Sequence, residues 1–307
     1  MALRFRTCPQ SLLALTFYRE KICLIELAYI RETWQLLACE ALTHSENLDE
    51  AALIDAILRI ISHSKTQCQR VAIAIEHPHA LIKLYRLDAS LSHAEIAHYL
   101  NIQQQTLNIP QEELATDFAC YPHHQQQELM PIQWVAVRQH LIKSWLNIFS
   151  KTPLSLVLVE MDSCSLLRIG RMVYADQPVA VLHIDEKSVL MGTIDHHGYN
   201  NFQQKSEISA DNTSKWQNIA DALRYYLINT NKLTVNKIVL SSAQRLNSAD
   251  VEQLASLMER PCEMMNPFKP LSISQRLKSQ ILHHSPEQFC LSVGLAMRIK
   301  DLKSYGY

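Results

Sequence analysis

The sequence predicts an α/β fold of two lobes built on one repeated pattern, with a small α+β subdomain inserted into the first. Three observations predict it. Apolar runs rich in leucine and β-branched residues pair across short charged turns at 13–30 and again at 179–194. Each pair is followed by a helix with 3.6-residue apolar spacing and then a strand, 49–63 and 71–77 in one half, 214–230 and 236–242 in the other. Between 80 and 137 a strand–helix–strand–strand module interrupts the first repeat. The expected divisions are 1–79 as the first lobe, 80–137 as the insertion, 138–177 as the first lobe continued, and 178–307 as the second lobe with a C-terminal helix.

Each element has its own local reason. LLALTFY, ICLIELAYI and TWQLLACEAL read as a three-stranded meander, with Arg19, Glu20 and Lys21 in the first turn. In the first helix, apolar groups at 52, 53, 56, 57, 60 and 61 share one face, and Asp49 and Glu50 suit its positive N-terminus. In the insertion, ALIKLYRLD alternates as a strand. Ser92 with Glu95 forms a capping box opening a helix that Pro110 ends, and DFACYP and QWVAVR are strands. A helix over 140–152 and a strand over 153–161 follow, and Asp162 and Ser163 cap a short helix through Leu167. Gly170 and Pro178 flank a boundary. The end of the chain holds helices at 248–259 and 288–298, the latter buried.

Composition excludes several function classes. Lys+Arg 29 against Asp+Glu 30 offers no basic surface for nucleic acid or an anionic membrane. Arg19, Glu20 and Lys21 break the opening apolar stretch, so neither a secretory signal nor a spanning helix is expected. The 8 cysteines follow no CxxC spacing and read as free thiols of a reducing compartment. His123–His124, His196–His197 and His283–His284 are adjacent pairs without metal-ligand spacing, and Pro78 between His77 and His79 favours a turn with no acid nearby. Trp134, Trp145 and Trp216 fall on apolar faces and read as core. Glycine is the most telling count: 5 residues, where ordinary usage would give about 21. Backbone cradles for phosphate depend on glycine, so nucleotide chemistry starts from a low expectation.

Five stretches, in order, resemble the type IV pilus assembly protein PilM family, relatives of the cell-division protein FtsA with an actin-like fold. LALTFYREKICLIEL (13–27) resembles the family's opening hairpin, keeping Glu26 and Leu27. The stretch 80–118 resembles its inserted subdomain, with Ile109, Pro110, Glu112, Glu113, Asp117 and Phe118 in place and Asn108 where tyrosine is usual. The stretch 131–149 resembles the return to the first lobe, and Asp162 matches the acid of the following element. Asn266, Pro267 and Phe268 and then CLSVGLAMR resemble the family's closing segments. The resemblance spans nearly the whole chain and implies a duplicated βββαβα, ribonuclease H-like architecture.

It also implies where a nucleotide would sit, and this chain departs there. Thr16 stands for an aspartate and Tyr18 for a glycine in the first hairpin; His183 and Asp185 do the same in the second; Ser241 and Ser242 replace the glycines of the adenosine turn. A ring at 18 and acids at 185 and 186 oppose a polyphosphate: like charges about 4 Å apart cost on the order of 4 kcal/mol at an effective dielectric near 20. Two readings stay open, a cleft without a working ATP site, or altered ATP/Mg binding in which Lys21 or Lys187 offsets the acids. Neither supports hydrolysis, and no cofactor is expected. The resemblance implies a cytoplasmic adaptor, peripheral to the inner membrane, that captures the N-terminal tail of a PilN-like membrane protein for a pilus or competence machine. Leu84, Arg86, Tyr99 and Gln103 are the expected contacts if strand 82–87 and helix 93–107 wall the groove. The alternatives are a divergent actin-like ATP-binding protein that switches or polymerises, and a secretion-pathway scaffold sharing the fold. Oligomeric state is not legible.

Overall fold

The computed structural model describes residues 11–107, 109–120, 128–174, 177–186, 188–194, 202–206, 212–230, 234–275, 277–278 and 285–302. Two of its sheets share one plan. In the six-stranded sheet, β1 (Ser11–Tyr18), β2 (Lys21–Ile30) and β3 (Thr33–Thr43) form the expected antiparallel meander. Beside β1, β4 (Arg70–Ile75) and then β8 (Ser155–Met161) run parallel to it. In the five-stranded sheet, β9 (Val179–Ile184), β10 (Ser188–Ile194) and β11 (Phe202–Ser206) repeat the meander, and β12 (Lys237–Ser242) and β13 (Cys262–Met264) repeat the parallel pair. The duplicated βββαβα expectation is therefore met, and β11 supplies the third strand that polar FQQKS hides from sequence reading.

Strand alternation sorts side chains into layers. On β1, Leu13 and Leu15 pack with α1 (Glu50–Ser64) and α3 (Gln139–Ser150), while Leu12 and Ala14 face the other way. That second face meets α4 (Asp162–Tyr174), α7 (Cys290–Ala296) and the inner face of the five-stranded sheet in one shared core. The outer face of the second sheet, with Ala180, Leu182 and Leu240, is covered by α5 (Asn212–Asn229) and α6 (Ser248–Met258). Each large apolar side chain so enclosed contributes roughly 1.5–3 kcal/mol. Trp134 and Trp216 are buried as expected, and Trp145 packs partly buried beside Phe17.

The insertion is an antiparallel sheet with β7 (Leu129–Arg138) between β5 (Ala80–Asp88) and β6 (Leu114–Cys120), and α2 (His93–Gln105) lies over one face. The Ser92–Glu95 capping box is formed in both directions.

Three expectations need correction. α4 does not stop at Leu167 but runs through Tyr174, across the boundary read at Gly170; it persists because the glycine is on the buried face, where a Cβ would collide with Ile194. The 178–307 stretch does not stay with the second sheet: β14 (Ser272–Ile273) pairs with β3, and α7 packs on α4 and β1. An acid does lie beside His77, since Asp162 Oδ2 accepts from its backbone N–H at 3.2 Å; the His77–His79 segment is the expected turn. Cys23, Cys39 and Cys290 are buried free thiols and Cys120 is exposed, while the three adjacent histidine pairs lie outside the described residues.

Candidate functional site

Parity decides what meets between the lobes. Thr16 and Tyr18 continue the row of Leu12 and Ala14, so they point from β1 into the cleft. His183 continues the row of Val179 and Val181 on β9, and Ser241 on β12 is its register partner. The structure thus brings together Thr16, Tyr18, His183, Asp185 and Ser241, residues up to 225 positions apart in sequence. Ser242 points to the opposite side, where its hydroxyl donates to the Ile184 carbonyl at 3.0 Å.

These side chains bond to the protein itself. The Tyr18 ring stacks on His183 with centroids 5.7 Å apart. His183 Nδ1 lies 2.8 Å from Ser241 Oγ, and Ser241 donates its one hydroxyl proton to the Glu287 carbonyl at 3.3 Å. Thr16 Oγ1 and Ser292 Oγ are 2.6 Å apart. Lys21 Nζ donates to Gln288 Oε1 at 2.8 Å and to the Ala243 carbonyl at 3.2 Å. At the hairpin tips, Arg19 donates to Glu186 at 2.8 Å and also pairs with Glu46. Glu186 thus faces a guanidinium rather than the cleft, and Lys187 lies outside the described residues.

Three acids line what space remains: Glu76 at the rim after β4, Asp162 at the start of α4, and Asp185 in the second turn. Burial raises all three, with Lys215 and Arg19 partly offsetting the effect at Asp185 and His79 at Glu76. Asp162 is pushed up to about 7 by burial, although the His77 and Ser163 N–H groups hold it down in part. Burial lowers His183 to about 4 and pushes the Tyr18 phenol well above its ordinary value. Near neutrality both rings are uncharged and engaged internally. The free volume is ≈ 30 Å³, room for a water or two. Among the described residues no group of three His, Cys, Asp or Glu is arranged to hold a metal ion.

The four expected partner contacts do not converge. Tyr85 and Leu87 face α2, so Leu84 and Arg86 point to the opposite face of the inserted sheet. Tyr99 lies on α2, edge-on to Tyr85 at 5.9 Å, and Gln103 follows one turn on. The period of two along β5 was enough to separate the two pairs. Leu84 is 40% exposed and continues a row in which Ile82, Val135 and Ala115 pack against Ile75, Met161 and Ile142 of the first sheet and α3. The residues missed from sequence are Glu76, Glu287, Gln288 and Ser292. For the last two the signal was available, since polar side chains inside a fully buried run must find partners.

A family model described as type IV pilus assembly protein PilM matches residues 25–193 and 211–300. No curated protein matches the chain. Among solved structures it is similar to a PilM-PilN type IV pilus biogenesis complex, with 16% identity, 94% of this chain and 98% of that one covered, and a TM-score of 0.78. It is also similar to the ethanolamine utilization protein EutJ from Carboxydothermus hydrogenoformans, with 9% identity, 94% and 90% coverage, and a TM-score of 0.51. The activator of the 2-hydroxyisocaproyl-CoA dehydratase from Clostridium difficile, with bound ADPNP, gives 7% identity, 97% and 98% coverage, and a TM-score of 0.51. At these identities the solved structures share its actin-like fold.

Proposed function

The chain belongs to the type IV pilus assembly protein PilM family, and from that premise we propose that it is a non-enzymatic scaffold. It holds the N-terminal tail of a PilN-like inner-membrane protein from the cytoplasmic side. Pilus assembly and competence machines would both use such a part. The cleft, in this reading, takes no nucleoside triphosphate. One observation carries it: Thr16, Lys21, His183 and Ser241, all at the cleft, bond to each other and to segment 285–292. The small free volume of ≈ 30 Å³ favours the same reading, because a magnesium-bound triphosphate needs room and bare backbone donors. With the cleft so filled, protein contacts are the remaining role. No helix among the described residues is long and apolar enough to cross a membrane.

The proposed tail groove lies between the first lobe (1–79 and 138–177) and the insertion (80–137), on the sheet face that carries Leu84 and Arg86. Tyr99 and Gln103 are assigned no direct role, since they lie across the sheet. Calorimetric titration with a synthetic PilN-tail peptide tests this. Leu84→Asp is expected to weaken binding by about 10-fold or more, because a charge would be desolvated against the tail, whereas Tyr99→Ala leaves affinity within about 2-fold. No binding by the unaltered chain, or the reverse ranking of the two variants, contradicts the placement.

A further inference from the structure

Beyond the filled cleft, the pattern of cross-lobe bonds points to a mechanical role. We infer that segment 285–292 is a built-in latch that fixes the two lobes at one angle, doing internally what a ligand between lobes would otherwise do. This rests on the reading that the cleft is not a nucleotide site.

The segment is tied to both lobes at once. Ser292 binds Thr16 of β1, while the Glu287 carbonyl accepts from Ser241 of β12. Lys21 then joins the lobes in a single step. From the start of β2 its ammonium reaches Gln288 in the segment and the Ala243 carbonyl just past β12. The Tyr18–His183 stack and the Arg19–Glu186 pair add two further bridges from the first hairpin to the second. Thr16, His183, Ser241, Gln288 and Ser292 are all buried. Buried polar groups deprived of one partner bear the full desolvation cost, so such a network is held whole or lost together. The tip pair is half-exposed and screened, and therefore guides closure more than it holds it.

The lobe angle is testable in the full chain by electron paramagnetic resonance. Nitroxide-bearing unnatural amino acids replace exposed His63 on α1 and Glu252 on α6, which avoids the native cysteines. The expected result is one narrow distance distribution, unmoved by millimolar Mg-ATP. Lys21→Met combined with Thr16→Val should make it at least about twofold wider, as an unlatched hinge samples more angles. Arg19→Ala, on the surface and safe for folding, should widen it less. A broad distribution in the unaltered chain, a shift with Mg-ATP, or widths unchanged in all variants would each overturn the latch. Titration of the same samples with the PilN-tail peptide separates the two ideas. Tail binding with a broad distribution sinks the latch alone, whereas a narrow distribution without tail binding sinks the adaptor reading alone.

Discussion

His183 and Asp162 sit in one cleft and titrate in opposite senses. His183 is lowered from 6.5 to about 4 because burial favours its neutral form. Its contribution is fully present above 6.5 and is lost as pH falls toward 4, on the order of 3 kcal/mol in all. Asp162 is raised from 3.8 to about 7 by burial. Its stability is full below 3.8 and declines as pH rises through 7, on the order of 4 kcal/mol. The two trends oppose each other in the unaltered protein. We expect urea unfolding of His183→Gln to show less loss of stability on acidification from pH 6.5 to 4 than the unaltered chain. Asp162→Asn should show less loss on raising pH from 4 to 8, though losing one N–H acceptor lowers its stability in acid. Parallel pH profiles for all three proteins would contradict this pairing. The sequence marks Thr16, Tyr18 and His183 as departures from a nucleotide-binding pattern, but it does not reveal their partners. Thr16 and Ser292 are 276 positions apart, and only the folded topology brings them together.

At the scale of elements, the described glycines, Gly170, Gly192 and Gly294, serve packing: each leaves no room for a Cβ. Gly294 on α7 lies against the Ser165 carbonyl of α4, where a Cβ would fall well inside van der Waals contact with backbone. Arg168 reinforces this crossing by donating to the Gly294 carbonyl and to Glu160, which also binds Ser165. Gly294→Ala forces the helices apart and should cost about 3 kcal/mol, read as a lower urea midpoint with an unchanged slope; a neutral result would mean the crossing is looser than described. Sequence reading located the longer strands and helices from apolar runs, from 3.6-residue spacing as in α1, and from the Ser92–Glu95 capping box that opens α2. It missed β11, β13 and β14, which are short or polar and owe their state to a neighbouring strand. It ended α4 too early because a glycine reads as a stop unless its packing partner, here Ile194, is visible.

For the whole molecule, the two-lobed plan was legible from the repeat of charged hairpins. The return of the chain from 265 to 302 onto the first sheet was not. That return matters most, because it brings Gln288 and Ser292 to the cleft. The proposed function holds that the interlobe space is occupied by the protein's own side chains and that the molecule acts through contacts with other proteins. Its most direct test is calorimetric titration of the full chain with Mg-ATP at near-neutral pH, on a sample already shown to bind the PilN-tail peptide. No saturable heat is expected up to millimolar nucleotide. Saturable binding at micromolar concentration, abolished by Lys21→Met, would contradict it.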